Sequence, residues 1–368
     1  MRLVDAYCGT GGWSAGAIAA GCTPVLGIDC DNVPLQLWAA NCAPAGRAAC
    51  ATLGTDEPVD WPEAEPDVHV HLSPPCTSLS KARAGSAPAE SVAAALDAVR
   101  WSVQLVLDRG YASWSLENVA TPGVVACLRD LAQQHPTRVA FMVLDAADYG
   151  VPSSRVRLIA STPEAIRALK EVPVRRVSVA EAFSVAGVPL PSDWIKSNTT
   201  NRDGSPCVRS VRRHPARCPP HISSRRTLTH AAATPLRQVQ QPSFTVTASH
   251  PLIWARRDGT TVRCLTVAES AVLMGFAPGW KLPSGSRAGL RAVGNAVPPP
   301  LACAVMTAAS GRAHAPEALP PPSPESPSTS SEEPPLPATT LAELQGSVRR
   351  IKRRLDELER RAEAETVP

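Results

Sequence analysis

No apolar run in this chain is long enough to cross a membrane. Nothing at its start has the charged-then-apolar pattern of a signal peptide; it opens on the strand-like R-L-V-D-A-Y. Its 11 cysteines lie singly, without the spacing of a disulfide framework. On that reading a membrane-embedded protein and a disulfide-stapled secreted scaffold are both excluded. An intracellular, reducing setting is expected, with nucleus or cytoplasm left open. Aromatic side chains are scarce, at 4%, yet an apolar fraction of 44% supports a real core. A length of 368 residues suits two domains, or one large domain with an insertion and a tail.

Proline is abundant, with 38 residues, and unevenly spread. Residues 313–340 are rich in proline and serine with almost no large apolar side chain, which predicts a disordered linker. Beyond it, in 341–365, Leu341, Leu344, Val348, Ile351, Leu355 and Leu358 alternate at spacings of three and four. That is a heptad seam on an amphipathic helix, suited to self-association or to packing on the protein's own surface. Charge is uneven too. Residues 163–263 carry 16 Lys and Arg against 6 Asp and Glu, a net +10 in a chain of net +4. Arginine outnumbers lysine there fourteen to two, and guanidinium pairs bidentately with phosphate and guanine edges, so a polyanionic partner is expected.

The first 160 residues alternate strand-like and helix-like stretches. Strands are predicted at 2–7, 24–29, 67–72, 112–117, 138–144 and 157–160, and helices at 13–20, 33–42, 91–107 and 125–133. This predicts an α/β fold, a doubly wound Rossmann-like sheet. In 67–72, Val68, Val70 and Leu72 alternate with His69 and His71, the pattern of a half-buried strand. From Thr162 to about Pro242 no period is sustained, and a smaller, loop-rich basic domain is expected. Helices return at Thr266–Phe276, with Thr266 as cap and Gly275 as stop, and at Pro300–Ala309. The predicted domains are therefore 1–162 and 243–312 as one α/β unit, 163–242 as a basic loop-rich region, then the linker and the helix.

The chemistry sits at predicted strand ends. The first strand runs into C-G-T-G-G, where Gly9, Gly11 and Gly12 let the backbone turn tightly and approach a ligand. A dinucleotide fingerprint wants glycine where Ser14 stands, which disfavours NAD. Asp29 ends the second strand in G-I-D-C-D, where an acid can take a ribose diol. S-P-P-C puts Cys76 on a proline-stiffened loop just past a strand, and L-E-N-V puts Glu117 at the same sheet edge. A nucleophilic cysteine with a nearby carboxylic acid is a recognisable catalytic pair. Arg155 and Arg157 alternate so that both can point to one face. Cys207, His214, Cys218 and His221 include zinc-type ligands, but their C-x6-H-x3-C-x2-H spacing fits no common site and no metal is assigned.

Taken in order, C-G-T-G-G, P-P-C, E-N-V, the paired arginines, R-C-L-T-V-A-E-S-A-V-L-M-G-F and G-N-A-V-P resemble the DNA cytosine-5 methyltransferase family over roughly residues 2–160 and 240–309. The resemblance implies S-adenosylmethionine as methyl donor and double-stranded DNA as partner. It implies Tyr7 stacking on adenine, Gly9–Gly12 as the donor-binding turn, Asp29 on the ribose, and Asn295 with Val297 closing over the donor. Cys76 matches the nucleophile that adds to C6 of a flipped-out cytosine, its thiol pKa lowered. Glu117 matches the acid at ring N3 and the exocyclic amine, Arg157 the group on the base carbonyl, and Arg155 a supporting group. Arg263, Thr266 and Glu269 match a segment that organises the recognition domain. Two positions depart from the family: Thr77 and Ser153 stand where it usually has glutamine. Methylation of RNA cytosine, and an inactive DNA-binding or scaffold role, remain as alternatives.

Overall fold

The computed structural model describes residues 1–42, 44–54, 59–82, 85–197 and 236–311, all within one compact unit, Met1–Pro321. The four candidate zinc ligands, the proline-rich linker and the heptad segment lie outside the described residues.

Seven strands make the main sheet: β1 (Arg2–Ala6), β2 (Thr23–Asp29), β3 (Arg47–Cys50), β4 (Val68–Leu72), β5 (Ser113–Val119), β6 (Ala140–Asp145) and β7 (Val156–Ser161). Their order is β3-β2-β1-β4-β5-β7-β6. The first five run parallel, and β7 lies antiparallel between β5 and β6. Alternation along each strand sends side chains to two cores. Val4, Ala6, Val70 and Leu72 pack under α4 (Ala89–Asp108) and α5 (Pro122–Gln134). On the other face, Leu3 and Ile159 pack under α1 (Gly12–Ala19), α6 (Pro163–Lys170) and α10 (Pro299–Ala309). The sheet is covered on both faces, as a doubly wound fold requires. Short helices α2 (Asn32–Cys42) and α3 (Thr77–Ala82) follow β2 and the S-P-P-C loop.

Being central and covered on both sides, β4 is not the half-buried strand its alternation predicts. All five of its residues are buried, His69 and His71 completely. The imidazoles are tolerated because serines face them. His69 Nδ1 and Nε2 lie 2.8 Å from Ser113 Oγ and Ser115 Oγ; His71 Nδ1 and Nε2 lie 2.9 Å from Ser115 Oγ and 2.7 Å from Ser73 Oγ. Trp13 stacks flat on His71, with centroids 3.3 Å apart.

The stretch after Thr162 is also more regular than expected. Thr162 caps α6, with Pro163 in its first turn, and Ser178 caps α7 (Val179–Val185). Then β8 (Trp194–Lys196), β9 (Leu236–Gln238), β10 (Ile253–Ala255) and β11 (Thr261–Cys264) form a second, antiparallel sheet in the order β11-β10-β8-β9. It shares a core of Phe183, Trp254 and Leu273 with α7 and α8 (Val267–Met274). Thr266 and Glu269 form a capping box on α8, which Gly275 ends in the left-handed conformation, as the sequence predicts. A further helix, α9 (Ser286–Asn295), occupies residues to which the sequence pattern assigns no element. Contrary to the expectation from sequence that no apolar run is long enough, α9 and α10 together make Ser286–Ala309, among the described residues the one stretch that by length and composition could cross a membrane. It is interrupted at Ala296–Pro298, and α10 owes its apolarity to packing on α1 and α6.

Candidate active site

The glycine turn after β1 is held from both sides. Tyr7, Gly9 and Gly11 all adopt positive φ (60°, 52° and 88°). A Cβ on Gly11 would press on Trp38 and Trp280 at 3.0 Å, and one on Gly12 would overlap the Val297 carbonyl. A Cβ on Gly9 would meet nothing, so that backbone is open on its outer side. The Gly9 amide donates to Asp29 Oδ2 at 2.8 Å and the Asp31 amide to Asp29 Oδ1 at 2.9 Å, which fixes the carboxylate at the end of β2. Beneath the turn, Trp38 Nε1 donates to Ser14 Oγ (2.8 Å), which donates to Asp5 Oδ2 (2.5 Å). Burial pushes the Asp5 carboxyl up to about 7.

The nucleophile loop meets this turn directly. The Ser73 amide donates to the Ala6 carbonyl at 3.2 Å, so β4 leaves the sheet where the glycine turn begins. Asn118 Nδ2 donates to the Pro74 carbonyl at 3.0 Å and its Oδ1 accepts from the Val119 amide, pinning the prolines from β5. Cys76 follows, half-buried, and its carbonyl accepts from Ser80 to start α3. Asn118 and Ser73 were not singled out from the sequence, although both lie inside motifs that were.

Glu117 is 8% exposed and takes Arg157 Nε at 2.8 Å. Burial raises the Cys76 thiol above its ordinary range and the Glu117 carboxylate raises it further, against the lowering pull of Arg157 and Arg155. The expected lowering is thus reversed in the free protein, because the sulfur is desolvated beside a negative charge. Arg155 is 3% exposed and acts as a staple: its guanidinium donates to the carbonyls of Val246 (2.9 Å), Gly294 (2.9 Å) and Ala296 (3.0 Å). Burial pushes it down to about 9. Arg263 forks onto Glu269 at 2.8 and 2.6 Å, with the Thr266 amide on the same carboxylate. Ser153 is buried in a main-chain bridge to Ser243, while Thr77 is exposed at the start of α3.

One cavity of about 780 Å³ joins these parts. Tyr7, Gly9, Gly12 and Asp29 line it with Asn295 and Val297; Ser73, Cys76, Thr77 and Glu117 line it too. Thr10 Oγ1 and Trp13 Nε1, also in its wall, are buried without hydrogen-bond partners. An open glycine backbone, an oriented carboxylate and two unpartnered polar atoms suit a ligand with a ribose and a polar tail. The thiol and carboxylic acid in the same wall suit covalent addition to a second, flat ligand.

The sequence model of the C-5 cytosine-specific DNA methylase family matches residues 137–310. A search of curated proteins returns no match. Among solved structures, an E. coli prophage-encoded protein described as a DNA modification methyltransferase aligns over 84% of this chain and 99% of its own, at 16% identity and TM-score 0.53. The S. pombe Dnmt2 methyltransferase covers 84% and 98%, at 12% identity and TM-score 0.48. The Entamoeba histolytica methyltransferase EhMeth covers the same shares, at 12% identity and TM-score 0.46.

Proposed function

We propose, from the match of residues 137–310 to the C-5 cytosine-specific DNA methylase family, that the chain is a cytosine-5 methyltransferase and that it methylates cytosine in double-stranded DNA through a covalent adduct on Cys76. When bound, S-adenosylmethionine supplies an electrophilic methyl group. The glycine turn from Gly9 to Gly12, Tyr7, Asp29, Asn295 and Val297 would hold it.

Cytosine C5 is a weak nucleophile until something adds at C6. Cys76 Sγ adds there as thiolate, held by the Pro74–Pro75 bend that Asn118 anchors. Glu117 shares a proton with ring N3, which drains charge from the ring as the adduct forms, and Arg157 orients that carboxyl. The electron pair then available at C5 takes the methyl group, and loss of the C5 proton expels Cys76. No side chain reaches C6 inside a duplex, so the base is extruded, at a cost of a few kcal/mol. The basic region 163–242 serves as the recognition element that holds the opened duplex.

The observation that carries this reading is that Cys76 and Glu117 share one cavity wall with the glycine turn and Asp29. The test is methyl transfer from tritiated S-adenosylmethionine to duplex DNA and to transfer RNA, with bisulfite sequencing of the product. Label in duplex cytosines, lost in Cys76→Ala while DNA binding persists, is expected. Label confined to transfer RNA would move the substrate to RNA, and none in either would leave a binding protein.

A further inference from the structure

The proposed reaction must discard the C5 proton, and none of the groups assigned so far accepts it. The buried histidines of β4 have, so far, no role at all. Their hydrogen bonds form one unbroken line: Ser73 Oγ, His71, Ser115 Oγ, His69, Ser113 Oγ, with every link between 2.7 and 2.9 Å. Because β4 and β5 are parallel and in register at His69–Ser113 and His71–Ser115, the line runs between the two strands from their carboxyl ends to the amino end of β5. Its first member, Ser73, lines the catalytic cavity beside Pro74 and Cys76. Its last, Ser113, is half-exposed where β5 begins.

We infer that Ser73 takes the C5 proton and that the His71–Ser115–His69–Ser113 line relays it to the amino end of β5. This rests on the covalent reading of Cys76. The C5–H bond breaks, its electron pair forms the C5=C6 double bond, and the C6–Sγ bond breaks to return Cys76 as thiolate. The proton goes to Ser73 Oγ as the Ser73 proton passes to His71 Nε2 and the His71 Nδ1 proton to Ser115 Oγ. The Ser115 proton then passes to His69 Nε2, the His69 Nδ1 proton to Ser113 Oγ, and the Ser113 proton to water. Each member gives one proton as it takes one, so none need carry a charge. When product leaves, Ser73 releases its proton to water entering the cavity and the line runs back.

The surroundings suit such a relay. Burial pushes His69 down to about 3, and burial with His69 alongside holds His71 well below its ordinary value, so both rings are neutral and each has one donor and one acceptor nitrogen. Trp13, stacked on His71, keeps the ring plane aligned with its two serines. Ser73 has its main chain tied to Ala6, so its hydroxyl is fixed between the glycine turn and the nucleophile.

Ser115→Ala cuts the line at a fully buried hydroxyl that is not part of the cavity wall. With duplex DNA and tritiated methyl donor, the first-turnover rate should stay within twofold of wild type. Steady-state turnover should fall at least tenfold, and a denaturant-resistant enzyme–DNA adduct carrying the methyl group should accumulate. Wild-type turnover without adduct would sink the relay, and so would an equal slowing of both phases, which marks a merely structural role. Should the variant fail to fold by thermal melting, Ser113→Ala at the half-exposed end replaces it. A threefold or greater loss with adduct supports the relay, and no change refutes it. If the wild-type protein itself transfers no methyl to cytosine, the reading of Cys76 fails. Methyl transfer by wild type with unaltered variants removes only the relay.

Discussion

At the residue scale the site turns on the environment of one sulfur. Cys76 and Glu117 can be picked out of the sequence because each follows a strand inside a short motif. The direction of the thiol's shift cannot, because it depends on burial and on a carboxylate 41 positions away. The free enzyme holds its thiol largely protonated, so single-turnover methylation should rise with pH across the neutral to alkaline range, approaching tenfold per unit. Glu117→Gln separates the thiol's acidity from the acid's chemistry. Losing the negative charge should lower the Cys76 pKa and speed its alkylation by iodoacetamide, read by peptide mass spectrometry because Cys30, Cys50 and Cys264 are also exposed. Methyl transfer should nevertheless fall by about 10²-fold or more, as removal of a general acid predicts. A variant that alkylates more slowly would show that Glu117 does not act on the sulfur through its charge.

At the element scale, the turn and the late motif are one device. Gly12 on α1 abuts the main chain at Val297, and Gly294 on α9 abuts that of Thr247 and Ala248, whose neighbour Val246 receives Arg155. Gly12→Ala must therefore push the Ala296–Val297 link off α1. It should cost about 2 kcal/mol or more in urea unfolding and abolish S-adenosylmethionine binding by calorimetry; unchanged binding would separate the turn from the donor site. Thr266→Ala removes the α8 cap and should cost about 1 kcal/mol without touching the cavity.

The same contacts explain which elements the sequence conceals. Helix α9 contains Gly289 and Gly294, which read as breaks in a lone segment, but each is where another backbone or Val267 leaves no room for a side chain. Helix α6 was hidden by Pro163, a stop signal inside a helix but a favoured residue in its first turn. Strand β3 is four residues, R-A-A-C, mostly exposed at the sheet edge, with no alternation to read. The long, strongly patterned α4 and β5 were legible from local spacing alone.

At the scale of the whole molecule, the polar seam under α1 makes the fold sensitive to acid. His69 is depressed from 6.5 to about 3, so the neutral ring's stability is fully present above pH 6.5 and is lost as pH falls toward 3. It amounts to roughly 5 kcal/mol at neutral pH, and His71 shifts in the same direction. Asp5 works the other way. Its carboxyl is raised from 3.8 to about 7, so the folded protein holds a proton there that the unfolded chain does not between about pH 4 and 7, and acidification over that window adds stability. With His71 shifting the same way as His69, the two imidazoles outweigh Asp5, and stability falls on going from pH 6 to 5. The double variant His69→Asn, His71→Asn keeps only the Asp5 contribution. Its stability relative to wild type, from urea unfolding at pH 7, 6 and 5, should therefore improve by about 1 kcal/mol or more per unit once pH falls below 6.5. A gap between the two proteins that stays constant with pH would mean that the buried imidazoles are not what makes the sheet yield to acid.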